Sequence, residues 1–410
     1  MNIISIRALF PIFTNRPSMV YLDSAATSQK MAVALDTQNV FYTNNNANVQ
    51  RGLYPDGEIA TELYEEARKT VASFINARSP QEIIFTSGTT AGVNTIANSW
   101  ANSNLKPGDE IVITIAEHHA NLLPWQKIAQ QTGAKLCFLY LDKTTLTVDL
   151  NSYQFNEKSK ILAVTLDSNV LGNIWGKNYE LLHQSIATIK HYNGAVLIDA
   201  AQAVAHIPID VQKLNIDFLV FSGHKFFAPT GIGVLYIKQN WHNQLEPHYV
   251  GGGMVYNITE HQTIWAQAPH KFEAGTPPIA QALALAATIK TVQNFIKFEE
   301  LQKHEALLCQ TLIKELKTIP EVVVVSKPTD SIHLVSFFIN NIHSHDLASY
   351  LGMHDIAVRA GNHCAQPLLA YLNCSALIRI SVSAYTTMHD IEYCIKILKA
   401  GIQRLSNEMQ

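Results

Sequence analysis

Charge is scarce in this 410-residue chain: Asp, Glu, Lys and Arg make up 15% of it against 47% hydrophobic residues, and the formal net charge is -3. That balance excludes a disordered chain and leaves much surface to bury. No basic stripe stands out, so the charge pattern calls for neither a nucleic acid nor an anionic membrane as partner. No apolar run reaches the roughly 18 to 20 residues of a membrane-spanning helix. The opening MNIISIRALFPIF is interrupted by Arg7 and Pro11 and lacks the charged start and cleavage pattern of a signal peptide. Cysteine is sparse as well. Cys137, Cys309, Cys364, Cys374 and Cys394 are odd in number and show no CxxC spacing. This disfavours a disulfide framework and a zinc site, so no metal is expected, and it fits a reducing compartment. The expectation is a soluble cytoplasmic protein.

Repeats and low-complexity linkers are missing too, apart from an Asn-rich patch at Asn44–Asn48. What is present is alternation. TELYEEARKTVASFINA puts Leu63, Ala67, Val71 and Phe74 on one helical face. EIIFT, EIVITI, AKLCFLYL, KILAVTL, AVLID and IDFLVFS read as strands, with helices in TTAGVNTIANSW, LPWQKIAQQTG and YELLHQSIATIKHYNG. IDFLVFS and IGVLYIK are close enough to pair as a hairpin. The fold class is α/β, a mostly parallel sheet sandwiched by helices. Beyond the helical stretch AQALALAATIKTVQNFIKF the pattern changes to VVVVS, HLVSFFI, IAVRA and LIRISVS, which reads as a smaller α+β C-terminal domain. The expected division is 18–290 for the large domain, and 1–17 with 291–410 for the small one.

In an open α/β sheet, ligands bind beyond the carboxyl ends of the strands. EIIFT is followed by SGTTAG, with Thr89 and Thr90 opening a helix. That is either a seat for a phosphate or a polar turn with a helix cap. No lysine stands where a Walker sequence requires one. EIVITI leads to His118 and His119, and KILAVTL to Asn169. AVLID ends in Asp199 with Gln202 just beyond, and IDFLVFS ends at Ser222, His224 and Lys225. Asp199 is either a buried carboxylate satisfied by amides or the partner of a cationic ring nitrogen. Lys225, in apolar company, either extends its head to solvent or is an amine kept reactive toward a carbonyl. A phosphate seat, a carboxylate, an aromatic side chain for stacking and a lysine for an aldehyde together describe pyridoxal 5'-phosphate.

The segments YLDSAAT, FTSGTTAGVNTIANSW, EHHANLLPWQ, SNVLG, DAAQAVAH, FSGHKFFAPTGIG, FEAGTP and RAGNHCAQP occur in order from Tyr21 onward. Together they resemble the group II, SUF-type cysteine desulfurase/selenocysteine lyase enzymes, which are fold-type I pyridoxal-phosphate proteins of the class V aminotransferase kind. The resemblance implies that Lys225 holds the cofactor as a Schiff base and that His118 stacks on its ring and moves protons. Asp199 would face the ring nitrogen and Gln202 the phenolic oxygen, with Thr89, Thr90, Ser222 and His224 on the phosphate. Thr276 resembles a phosphate contact supplied by a second subunit, which implies a homodimer. Asn169 and Arg379 would bind the substrate carboxylate, with Arg359 near the loop that handles sulfur. Cys364 matches the persulfide-forming nucleophile, and GGGMVYNITEHQTIW resembles the extra hairpin of group II.

The same resemblance implies conversion of L-cysteine to L-alanine, with sulfur passed to an acceptor protein of the SUF system for iron–sulfur cluster assembly. L-selenocysteine and cysteine sulfinate are the alternative substrates. A kynureninase-like lyase would not need a cysteine in NHCAQP, and a non-catalytic scaffold should have lost Lys225, Asp199 or Cys364. Arg359 and His363 are the expected sources of positive charge for a thiolate at Cys364. Cys137, Cys309 and Cys394 are expected in the core. Departures from the group pattern are Gln50, Tyr54, Ala91, the Leu166–Asp167 pair and Asn362, which stands where a histidine commonly precedes His363.

Overall fold

The apolar segments form a seven-stranded sheet and a separate four-stranded one in the computed structural model, which describes residues 2–50, 52–327 and 332–408. The larger sheet has the order Ile83–Thr86, Gly233–Ile237, Phe218–Ser222, Ala195–Asp199, Ser159–Thr165, Glu110–Thr114, Lys135–Leu139. The last five pair in parallel, and Gly233–Ile237 runs against both its neighbours. The expected hairpin is therefore present, and the sheet is mostly parallel. Strands Ala195–Asp199, Phe218–Ser222 and Gly233–Ile237 are buried at every position. Runs as apolar as AVLID and FLVFS require this, because helices cover both faces. Ile96, Trp100 and Trp125 pack on one face, whereas Val71, Ile186, Ile189 and Ile289 pack on the other.

The smaller sheet is antiparallel, in the order Val322–Val324, Leu334–Ile339, Leu377–Ser381, Arg359–Gly361. The run IAVRA does not stay one strand. Ile356–Ala357 pairs in parallel with Val20–Tyr21, and Arg359–Gly361 joins Leu377–Ser381. The N-terminal segment contributes to both hydrophobic clusters: Ile6, Phe10 and Phe13 to the larger one, which also takes in Leu377 and Tyr385, and Val20 and Leu22 to the smaller. Phe10 packs edge-on against Phe227 and Tyr385, and Arg7 pairs with Asp390, so residues before 17 touch both the large sheet's turn and the C-terminal region. No helix among the described residues is long and apolar enough to cross a membrane.

Helix Pro55–Phe74 turns Ala67 and Val71 inward as expected, but not Leu63. Leu63 is 41% exposed, whereas Tyr64 and Arg68 are buried. The reason is the carboxylate of Glu273, which accepts from Arg68 Nη1 at 2.7 Å, Arg68 Nη2 at 3.0 Å, Tyr64 Oη at 3.2 Å and the Phe85 amide at 2.7 Å. A fully satisfied buried ion pair wins the inward position from a single leucine. The same contact ties the first strand of the sheet to the segment that carries Thr276. Cys309 and Cys394 lie in the core as expected, whereas Cys137, on the edge strand, is only half-buried. Replacing Arg68 by Met should lower stability by about 3 kcal/mol, because Glu273 is left as an unpaired buried charge. Urea denaturation checks this, with an unchanged midpoint as the contrary result.

Candidate active site

Five parallel strands end at one edge of the large sheet, and the chain folds a cavity of about 320 Å³ there. Strand Phe218–Ser222 breaks into a tight turn, Gly223–Lys225, that directs Lys225 into the cavity. The turn is held from outside by one oxygen. The His224 carbonyl accepts from the Ser28 amide at 3.0 Å, Ser28 Oγ at 3.0 Å, Thr27 Oγ1 at 3.1 Å and Lys30 Nζ at 2.8 Å. Burial pushes the Lys225 amine down to about 8, against the opposing pull of Asp199. Asp199 is itself buried, accepts from the Ala201 amide at 2.8 Å, and is pushed up by desolvation.

At the phosphate end, Gly88 precedes helix Thr89–Asn104 with φ of 153°, a conformation that favours glycine. Gly233 on the neighbouring strand has no room for a side chain, since a Cβ there would meet Gly88 Cα at 2.5 Å. This close approach brings Ser222 Oγ within 2.8 Å of both the Thr89 amide and Thr89 Oγ1. Hydroxyls and helix amides thus converge beside Lys225, as an anion requires. Ala91, in place of an acidic residue, adds no negative charge to that helix start.

The His118 loop is built on a buried carboxylate. Glu117 accepts from Thr114 Oγ1 at 2.6 Å, Asn121 Nδ2 at 2.7 Å and the Thr165 amide at 3.0 Å, and desolvation pushes it up to about 8. His118 Nδ1 accepts from the Ala120 amide at 3.1 Å, so a neutral ring carries its proton on Nε2. Burial, with Lys225 and His119 nearby, pushes His118 down to about 4. Gln202 donates to the Ala25 carbonyl at 2.9 Å.

The opposite wall comes from the small domain. Cys364 is exposed and follows His363 in a turn where both residues are left-handed, with φ of 54° and 52°. Hydrogen bonds fix that turn, beginning with the Ala365 amide to the Asn362 carbonyl at 2.9 Å. Asn169 Nδ2 donates to the His363 carbonyl at 2.8 Å, the His119 amide to the Cys364 carbonyl at 2.9 Å, and the Cys364 amide to Asn362 Oδ1 at 3.2 Å. Asn362 therefore closes the turn locally. His363 is pushed down to about 3 by burial and by Arg379, so it is neutral and is not the expected source of positive charge. Arg379 donates to the Asn169 carbonyl at 2.9 Å, and Arg359 is paired with Asp23.

Thr89, Thr90, His118, Asn169, Asp199, Gln202, Ser222, His224, Lys225, Arg359, Cys364 and Arg379 all line this one cavity. Thr276 does not. It lies in a separate groove with Tyr42 and Asn48, and Asn48 Nδ2 donates to its Oγ1 at 3.4 Å. Sequence reasoning missed Asp23, Thr27, Ser28 and Lys30, whose partners are roughly 200 or more residues away in the chain. A run of small polar residues after a short strand was the only available signal. Asp167, a departure from the group pattern, also lines the cavity; it accepts from Tyr179 Oη at 3.1 Å and is pushed up to about 7 by burial.

The residues fit pyridoxal phosphate. A half-buried amine, a buried carboxylate and a hydroxyl-rich helix start share one pocket. The buried Asn169 Oδ1 and Arg379 Nε have no protein partner among the described residues, as expected of atoms reserved for a ligand. Fold and site together define a fold-type I pyridoxal-phosphate enzyme. The aminotransferase class-V model matches residues 20–394, and the chain belongs to that family. It is 43% identical over 404 residues to a probable cysteine desulfurase of Halalkalibacterium halodurans, covering 97% of this chain and 98% of that one. It is 39% identical over 406 residues to a cysteine desulfurase of Escherichia coli, covering 98% and 97%. The crystal structure of the Escherichia coli cysteine desulfurase CsdA superposes with a TM-score of 0.90 at 35% identity, covering 98% and 99%.

An amine that titrates near 8 is neutral, and therefore nucleophilic, above that pH. Capture of pyridoxal phosphate by the apoprotein should accordingly accelerate with pH around a midpoint near 8, not above 10. Stopped-flow absorbance reads the rate, and a Lys225→Ala variant should give no covalent capture.

Proposed function

We propose that the protein is a cysteine desulfurase that converts L-cysteine to L-alanine and retains the sulfur as a persulfide on Cys364. The observation that carries this reading is the shared cavity: Cys364 from the small domain and Lys225 from the large sheet line the same space. Lys225 and Asp199, with Gln202, Thr89, Thr90, Ser222 and His224, are the residues to hold pyridoxal phosphate. When bound, it supplies an electron sink for bond cleavage next to the substrate α-carbon.

The chain's own groups do the rest. Lys225, readily neutral, takes a proton from the α-carbon as general base. His118, neutral and with its proton on Nε2, passes protons at the cavity wall. Arg379 receives the substrate carboxylate through its buried Nε, which has no protein partner among the described residues, and the unpartnered Asn169 Oδ1 beside it is an acceptor for a substrate or cofactor donor. Cys364 Sγ attacks the substrate sulfur: a sulfur–sulfur bond forms, the carbon–sulfur bond breaks, the proton given up by the Cys364 thiol ends on the β-carbon, and the substrate's own thiol proton stays on the persulfide. Atoms and electrons balance without an outside oxidant.

Thr276 fits a role in a partner subunit's site, and exposed apolar residues support a homodimer. Leu35, Val40, Tyr42, Tyr54 and Leu63 are all exposed on, or at the start of, helices Ala32–Asn44 and Pro55–Phe74. The exposure of Cys364 suits delivery of sulfur to an acceptor protein, which we assign to iron–sulfur cluster assembly of the SUF type. The five free cysteines suit a cytoplasmic setting.

With L-cysteine and a reductant, the wild-type holoenzyme should release equal amounts of L-alanine and sulfide. Cys364→Ala should lose at least about a hundredfold in alanine formation while retaining the visible absorption of the cofactor, since a nucleophile that acts only in the transition state lowers kcat. Equal alanine from the two proteins would rule out the persulfide route.

A further inference from the structure

The phosphate of the cofactor carries a charge of about -1.5 to -2 near neutral pH. The residues of its seat, Thr89, Thr90, Ser222 and His224, offer no full positive charge in return. Three are hydroxyls, and burial, with Lys225 and Lys30 nearby, pushes His224 down to about 4. The helix start at Thr89 contributes only about half a positive charge. The other charged side chains of the lining are placed elsewhere. Arg359 and Arg379 lie with Cys364 on the small-domain wall and share Asp23, Asp167 and Asp199 are buried carboxylates, and Lys225 is the amine for the aldehyde.

A further cation stands one layer outside that lining. Lys30 Nζ donates to Thr27 Oγ1 at 3.2 Å, and Thr27 Oγ1 lies 3.2 Å from His224 Nδ1, so two hydrogen bonds connect the ammonium to the histidine ring. Its other contacts are the Ser28 carbonyl at 2.6 Å and the His224 carbonyl at 2.8 Å. Lys30 is half-buried, and no carboxylate among the described residues forms an ion pair with it; desolvation pushes its amine down to about 8. An ammonium withdrawn from water and held only by neutral acceptors is costly, and an anion nearby offsets that cost. We propose that Lys30 is the cation of the phosphate seat: from behind Thr27 and His224 it supplies the positive field that the lining lacks. Its donors are all engaged by the chain, so it acts through that field and through its neighbours. It is a positioning residue, not a catalytic one. The inference rests on the pyridoxal-phosphate site and is independent of the reaction proposed above.

A lysine that only braced the Lys225 turn would affect every aldehyde alike, with or without a phosphate. The test therefore compares pyridoxal phosphate with pyridoxal, which lacks the phosphate, on the full-length apoprotein. Dissociation constants are read from the visible absorption of the captured aldehyde, without turnover. In Lys30→Met the constant for pyridoxal phosphate should rise at least about tenfold, the size expected for removing a unit charge several ångströms away at an effective dielectric constant of about 20. The constant for pyridoxal should stay within about threefold. The inhibition constant of inorganic phosphate against capture of pyridoxal phosphate should rise by about the same factor as the first. Equal losses for the two aldehydes, no loss for either, or an unchanged inhibition constant overturns the proposal. If Lys30→Met does not fold, Lys30→Gln, which removes the charge and keeps an N–H donor, decides by the same ratio. Capture of pyridoxal phosphate by the wild type tests the site itself: failure there strikes the site, whereas an unchanged ratio strikes only the role of Lys30.

Discussion

The burial of Lys225 is the constraint on which the site depends. An ammonium in that position is disfavoured by desolvation, and the neighbouring Asp199 only partly offsets this. The fold accepts that cost because the amine sits at the end of a strand buried at every position, on a turn held by four donors to one carbonyl. The donors come from the segment that joins the two cores. A rigid frame is what lets a partly desolvated, reactive amine be correctly aimed.

The same N-terminal segment shows why two sheets make one cavity. Thr27, Ser28 and Lys30 brace the lysine turn of the large domain, while Asp23 binds the arginines of the small one. Asn169 reaches across in the other direction to the carbonyl of His363. The opposite walls are therefore linked by hydrogen bonds and ion pairs, and the cysteine turn is part of that linkage.

Much of this was legible in the sequence, for a physical reason. Parallel strands must be apolar throughout and must end at one rim, so polar residues that follow AVLID, FLVFS and KILAVTL are brought together by topology. Asp199, Lys225 and Asn169 could be placed from that rule. Cys364 needed the family resemblance, because nothing local distinguishes its turn from any other. Asp23 was not legible, since its partner Arg359 is 336 residues away. Leu63 was misplaced because a hydrophobic stripe does not reveal a buried ion pair; Arg68 took the inward position through Glu273, which is distant in sequence. His363 sits beside two arginines, yet burial keeps it uncharged, an outcome that depends on depth and not on neighbours in the chain.

The turn that carries Cys364 has a mechanical consequence. Its two left-handed residues and its hydrogen bonds to the neighbouring wall tie the Cys364 backbone to the rim of the cavity. A thiol on a long tether could carry a cargo outward to a waiting recipient. On the function proposed above, a recipient of sulfur would have to bring its own reactive atom to the mouth of the cleft, on a probe slim enough to enter.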